Sequence, residues 1–132
     1  MIEESGLPVS TDIDRVPNAR KSLMLAELAR DEGKLAAFRD LAFRAYWAEA
    51  RDIGDDGVLA ELAAEAGLPA TATKEELVTG QRLDRVLGST SEAMDVGVTG
   101  VPAWVIDERV LVPGAQPHDV FERVLAKLGY AP

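Results

Sequence analysis

The chain has 132 residues, with 14 Lys and Arg against 23 Asp and Glu, and its formal net charge is −9. This length suits one domain with a single core. The hydrophobic share of 47% and the charged share of 28% are typical of a folded domain. An acidic surface repels phosphate backbones and anionic lipids, so we expect no nucleic acid and no membrane among the partners.

Cysteine is absent and His118 is the only histidine. The chain therefore lacks the groups for a disulfide, a thiolate nucleophile or a multi-histidine metal site. The stretch Asp52–Gly57 superficially suggests a calcium loop, but the twelfth position from Asp52 is Ala63 instead of a glutamate. We predict no metal and no cofactor. Because no secretory signal or membrane-length apolar run is present, we expect a cytoplasmic protein.

The N-terminal two thirds of the chain have helical periodicity. Residues 1–16 show no sustained period and predict an irregular lead-in. Apolar residues at helical spacing then predict a helix from Pro17 to Glu32 and a second from Lys34 to about Arg51. A third helix is expected to begin at the capping residue Asp55 and to end before Gly67.

A fourth helix is predicted to open at Thr73, which together with Glu76 forms a capping-box pattern. The run Gly88-Ser89-Thr90 is expected to bend or break this helix before helical composition resumes up to Gly97.

The periodicity changes after residue 98. Two short apolar runs, 103–106 and 110–112, predict a β-hairpin, and Pro117 begins a last helix with an apolar stripe. His118 is expected to be exposed in its first turn. The element order is a helical block over 17–97 followed by a strand–strand–helix part over 98–130. We therefore expect a mainly helical α/β chain.

The most specific motif is Gly97-Val98-Thr99-Gly100-Val101-Pro102-Ala103-Trp104-Val105-Ile106, followed by Val112-Pro113-Gly114-Ala115-Gln116-Pro117. It resembles the C-terminal half of the DsbA family of thioredoxin-fold proteins, and the FrnE-like branch in particular. The segment Val16-Pro17-Asn18-Ala19-Arg20 resembles the corresponding segment of the same branch. The resemblance implies a single DsbA-like domain over 1–132 with an incomplete thioredoxin-like fold. The family's opening strand, Cys-x-x-Cys motif and second strand have no counterpart here, so the resemblance implies a shortened relative.

The resemblance also implies where substrates bind. It makes Pro102 a cis-proline and turns Val101 outward, so that the backbone of Val101 can pair with an extended peptide or with glutathione. The substrate-binding residues that it implies are Gly100, Val101, Pro102 and Trp104, with Trp104 expected to face the core. No catalytic residue is implied, because the family's thiolate is missing.

Three functions remain open at this point. The chain is a shortened form of a FrnE-like thiol-disulfide oxidoreductase, a redox-inactive module that binds a peptide or dimerises, or a glutathione-dependent isomerase or transferase relative. In every case we expect no activity in insulin-reduction or dithiol-oxidation assays. The strand at 103–106 is expected to have a bare edge, which predicts a homo-oligomer, with a peptide or another protein as the alternative partner.

Overall fold

The computed structural model describes residues 6–130, and in that range it is mainly helical with one β-hairpin, as predicted. The helices are α1 (Arg20–Asp31), α2 (Leu35–Phe43), α3 (Asp56–Glu65), α4 (Ala70–Thr79), α5 (Leu83–Asp95) and α6 (His118–Lys127), and the strands are β1 (Ala103–Ile106) and β2 (Val110–Pro113). The chain forms two units, of which the first ends at Leu87 and the second begins at Gly88. The lead-in has neither helix nor strand from residue 6 to residue 16, and its first five residues lie outside the described part.

The core of the N-terminal unit lies among four helices. Helix α1 packs against α2, α3 and α4 and buries one apolar face completely. The core residues are Leu25, Leu28, Ala29, Phe38, Ala45, Leu59, Leu62, Ala63 and Leu68. The expected cap of α3 is confirmed, since the Asp55 Oδ1 atom accepts a hydrogen bond of 2.9 Å from the Val58 N–H.

The second predicted helix is interrupted by a wider turn. Helix α2 ends at Phe43 and the chain continues as a π-helix over Arg44–Ala48, in which the Glu49 N–H bonds the Arg44 carbonyl at 3.2 Å. Ala50 then takes a positive φ of 52°, which ends the helix. Single π turns of this kind occur inside α-helices, and the apolar spacing of this stretch predicted one continuous helix.

The capping box predicted at Thr73 is wrong. Helix α4 begins three residues earlier, at Ala70, and the Thr73 N–H bonds the Pro69 carbonyl at 2.9 Å. The Glu76 carboxylate is only 1% exposed and accepts hydrogen bonds from the Arg82 backbone N–H at 2.9 Å and Nη1 at 2.6 Å. Because the helix begins before Thr73, the Thr73 N–H is already bonded inside the helix, and the Glu76 carboxylate binds Arg82 instead.

The expected break at residues 88–90 is also wrong. Helix α5 runs without interruption through Gly88, and the chain instead turns at Gly80, whose φ is +63°. The Gly80 N–H closes the end of α4 on the Glu76 carbonyl at 2.9 Å. A glycine at the C-terminus of a helix adopts the left-handed conformation without steric strain. A glycine inside a helix lowers its stability by only about 1 kcal/mol, so Gly88 does not have to end α5.

The C-terminal unit contains the predicted hairpin. Strand β1 pairs antiparallel with β2 in a register that sets Ala103 opposite Pro113 and Ile106 opposite Val110. The chain turns at Asp107 and Glu108, which both have positive φ values, 57° and 53°. The last helix follows Pro117, as expected.

Candidate functional site

The loop before β1 is shaped by the end of α5. The Gly97 N–H bonds the Met94 carbonyl and the Val98 N–H bonds the Ala93 carbonyl, both at 2.9 Å. This pair of bonds is a Schellman motif, which requires a left-handed residue, and Gly97 has a φ of +89°. A Cβ atom at Gly97 would lie 3.5 Å from Leu111 Cδ2, so the helix end lies directly beside the hairpin.

The Val101-Pro102 pair forms the outer part of this loop. The peptide bond between these residues is cis, and the Pro102 carbonyl accepts a hydrogen bond of 2.8 Å from the Gly114 N–H. Val101 is 94% exposed. Among residues 6–130, the backbone N–H and C=O of Val101 take part in no hydrogen bond. The loop therefore presents a free backbone donor and acceptor to solvent.

A cavity of about 240 Å³ lies between the loop and the hairpin. Three of the four implied substrate-binding residues line the cavity: Gly100, Val101 and Pro102. The remaining lining residues are Gly97, Val98, Thr99, Ala103, Leu111, Pro113 and Gly114. None of these side chains carries a charge, so the cavity suits an uncharged group.

The fourth implied residue, Trp104, is not among those that line this cavity. Alternate residues of a strand point to opposite faces, so Ala103 and Trp104 lie on different faces of the hairpin. The ring of Trp104 packs edge-to-face on Phe121, with ring centroids 5.5 Å apart. Trp104 remains 51% exposed, so it only partly faces a core.

The outer edge of β1 is open. In an antiparallel pair, hydrogen-bonded and non-bonded positions alternate. Because Pro102 bonds across to Gly114, Trp104 and Ile106 direct their backbone groups toward β2. The backbone groups of Ala103 and Val105 therefore point away from β2. Val105 is 49% exposed, and β1 has β2 as its one strand neighbour among the described residues.

The outer edge of β2 is blocked by its own residues at its C-terminal end. Pro113 has no N–H to offer to another strand. Its carbonyl, which points away from β1 in this register, accepts a hydrogen bond of 2.7 Å from Gln116 Nε2. Sequence reasoning placed Gln116 in the turn motif but missed this contact, which requires knowing the strand register. Beside the proline loop, the β1 edge is thus the side of the hairpin with free backbone groups for a further strand.

The other candidate positions have structural roles. The Asp52 and Asp55 carboxylates accept hydrogen bonds from the Gly54 and Val58 N–H groups, and within residues 6–130 no cluster of side chains suited to a metal is present. His118 is exposed, with Nδ1 3.3 Å from Glu122 Oε1. Among the described helices, none is long and apolar enough to cross a membrane.

A larger apolar cavity, of about 410 Å³, lies in the N-terminal unit. It is formed by the lead-in residues 7–9 against Phe43 and Trp47. The lead-in is held there by a hydrogen bond of 2.6 Å from the Ser10 N–H to the Trp47 carbonyl. The only charged residue of its lining, Arg44, pairs with Glu49 and Glu65. The cavity therefore lacks a free polar group that would orient a ligand.

A helical block, a proline loop and a strand–strand–helix segment are the features of DsbA-type thioredoxin-like proteins. A family model described as "DSBA-like thioredoxin domain" matches residues 1–126. The chain belongs to the DSBA-like thioredoxin domain family.

Two known proteins are similar to the chain. The uncharacterized protein YwbO of Bacillus subtilis (strain 168) is 31% identical over 99 residues, which are 74% of this chain and 49% of YwbO. A probable DsbA oxidoreductase, SCO1869 from Streptomyces coelicolor, is 34% identical in sequence to this chain, and its crystal structure superposes on the chain with a TM-score of 0.85. That comparison covers 98% of this chain and 57% of SCO1869. The chain thus spans about half the length of these relatives.

Proposed function

We propose that this chain is a FrnE-like member of the family that binds an extended polypeptide strand without exchanging disulfides. The observation that carries the proposal is the open outer edge of β1, which continues into the free backbone groups of Val101. An extended peptide that adds to such an edge gains main-chain hydrogen bonds, and its alternate side chains enter neighbouring pockets. The cavity beside Val101 is in the position to receive one of them.

The absence of cysteine supports the second half of the proposal. Disulfide exchange requires a thiolate that attacks a disulfide sulfur, and this chain supplies none. SCO1869 is described as a probable DsbA oxidoreductase, which is a property of that longer protein. We expect the 132-residue chain to give no insulin reduction above the buffer rate. Turnover by the pure chain would contradict this part of the proposal.

A second copy of the chain is the alternative source of the strand. Trp104 and Val105 are about half exposed on β1, and an exposed apolar edge recruits other strands. Antiparallel pairing of β1 with its copy would make a homo-oligomer in which the open edges cover each other.

We propose the cytoplasm as the location of the chain. There, an extended segment of another protein would compete with the second copy for the same edge.

The proposal is tested by blocking the edge without breaking the hairpin. The Val105 N–H points away from β2, so Val105→Pro removes a donor from the open edge and keeps the bonds to β2. Val105→Thr is the matched control, because it changes the same side chain but keeps the backbone N–H at the open edge. The readout is fluorescence anisotropy of a labelled, capped seven-residue peptide of alternating Val and Ser.

We expect Val105→Pro to abolish peptide binding and Val105→Thr to retain it. Far-UV circular dichroism and the thermal midpoint show whether both variants remain folded. If Val105→Pro is folded and binds the peptide as well as the unmodified chain does, the edge is not the binding site. Sedimentation of the same three proteins shows whether the edge is taken by a second copy instead.

A further inference from the structure

We propose that the bound strand is a peptide with an uncharged residue at the Val101 end and a basic residue at the hairpin tip, running antiparallel to β1. This inference rests on the proposed function, because it describes the peptide that the β1 edge takes. The uncharged and basic ends and the length of the peptide follow from three features of the C-terminal unit: the lining of the cavity, the charge at the tip and the distance between them. The antiparallel direction is the part of the proposal that the peptide series below tests.

The cavity end of the edge selects against charge. The residues that line the cavity provide hydrophobic groups, glycines and one hydroxyl, that of Thr99. A charged side chain placed there would find no ionic partner, whereas an apolar one would contact the apolar lining. A peptide residue that enters beside Val101 is therefore uncharged.

The tip end of the edge is acidic. Asp107 and Glu108 occupy the turn directly after β1, and both project from a left-handed backbone. Asp107 is partly neutralised, with Arg109 Nη1 3.6 Å from its Oδ2 atom and the Tyr130 hydroxyl 3.4 Å from Oδ1. Glu108 is exposed and has no ionic partner within residues 6–130. The carboxylate of Glu108 is thus free to pair with a cation on a bound strand.

The distance between the two ends defines the length of the peptide. Strand residues rise about 3.3 Å each, so a strand of about seven residues extends from the cavity beside Val101 to the turn at Glu108. In antiparallel pairing, the first residue of the peptide lies at the tip and the last at the cavity. The net charge of −9 adds a long-range attraction for a basic peptide.

A basic peptide fits the edge better than a second copy does. Antiparallel pairing of two β1 strands would bring the tip of one copy near the 97–102 loop of the other. That loop contains no ionisable side chain, so Glu108 would gain no partner. Both copies also carry the same negative charge, which opposes their association.

The test uses capped seven-residue peptides that differ at one position. The backbone is alternating Val and Ser, and the first residue is Lys, Gln or Glu; a fourth peptide carries the Lys at its last position. Binding to the full chain is measured by fluorescence anisotropy at two salt concentrations. The protein variants are Glu108→Gln and, as a charge-matched control in the same unit, Glu122→Gln on α6.

We expect the peptide with Lys first to bind roughly three times more tightly than the Gln peptide, the gain of one exposed ion pair. The Glu peptide should bind more weakly than both, and added salt should reduce the differences. Glu108→Gln should remove the preference for Lys, whereas Glu122→Gln should keep most of it.

The outcomes separate this inference from the proposed function. Equal binding of the Lys, Gln and Glu peptides, or an equal preference in Glu108→Gln, would overturn the charge selection and leave strand binding intact. A preference for Lys at the last position would overturn the antiparallel direction. If none of the four peptides binds, the proposed function itself is contradicted.

Discussion

Glu76 is the buried carboxylate of the N-terminal unit, and its partner is Arg82. The side chain of Glu76 is 1% exposed and that of Arg82 is 22% exposed. Burial lowers the pKa of Arg82, but its hydrogen bonds to Asp31 and Glu76 outweigh that effect and raise the pKa above its ordinary value. Arg82 therefore stays charged, and the pair connects the end of α4 to the beginning of α5.

Removing Arg82 should destabilise the N-terminal unit strongly. In Arg82→Ala the Glu76 carboxylate would be buried without its cation, which costs about 3 kcal/mol in buried pairs. Urea unfolding followed by circular dichroism measures the loss. Arg85→Ala is the control, since Arg85 pairs with Glu27 and Asp31 at the surface and should change stability less. Equal losses in the two variants would contradict this role for Glu76.

Asp31 gives the stability a dependence on acid pH. Hydrogen bonds from Arg85 and Arg82 lower the pKa of Asp31 below its ordinary value of 3.8. The folded state therefore binds this proton less tightly than the unfolded state does. The resulting stabilisation is complete above pH 3.8 and is lost as the pH falls through the lower, folded-state value.

We expect the unmodified chain and Asp31→Asn to differ in free energy of unfolding, and we expect this difference to become smaller as the pH falls. Urea unfolding of both proteins between pH 6 and pH 2.5 measures it. Above pH 3.8 the unmodified chain should be the more stable, and the two curves should converge below that pH. A constant difference over the whole range would show that the ionisation of Asp31 does not contribute.

At the scale of elements, the sequence-based prediction and the structure differ at the boundary between α4 and α5. The sequence pattern favoured a break at Gly88, whereas the structure has the turn at Gly80. Both positions are glycines, and local propensity does not rank them. The Glu76–Arg82 pair lies across this turn, and it depends on burial that a single sequence does not reveal.

Two alanine substitutions test this assignment. Gly80→Ala forces a Cβ atom into a left-handed backbone, 3.5 Å from Met24 Sδ, and should cost about 1 kcal/mol. Gly88→Ala lies inside a helix with nothing within 4 Å of the new Cβ atom, and should stabilise by about 0.8 kcal/mol. Chemical unfolding of both variants checks the signs. Opposite signs from those expected would place the break at Gly88.

Other elements were predictable because their signals are local. Asp55 caps α3 through its own side chain, and the hairpin follows from two apolar runs around a short polar turn. The loop at Val101 was found from its motif. The separation of Trp104 from the cavity follows from strand alternation, but only once the cavity is known to lie on the face of Ala103. The hydrogen bond from Gln116 to the Pro113 carbonyl could likewise be expected only once the strand register was known.

At the scale of the whole molecule, the two units differ in how they bury apolar residues. The N-terminal unit has a helical core, whereas α5 and α6 contain no buried residue and Val112 is the buried member of the hairpin. A region with few buried contacts opens locally more easily. We therefore expect the amides of α1 to exchange with solvent more slowly than those of the hairpin.

The central claim is that the β1 edge is open until a strand binds there. The most direct measurement is residue-resolved amide hydrogen exchange by NMR on the dilute chain, with and without the Lys-first peptide. We predict that Ala103 and Val105 exchange rapidly in the free chain, that Trp104 and Ile106 are protected, and that the peptide protects Ala103 and Val105. Protection of all four amides in the free, monomeric chain would contradict the open edge, as would peptide binding that leaves Ala103 and Val105 unprotected.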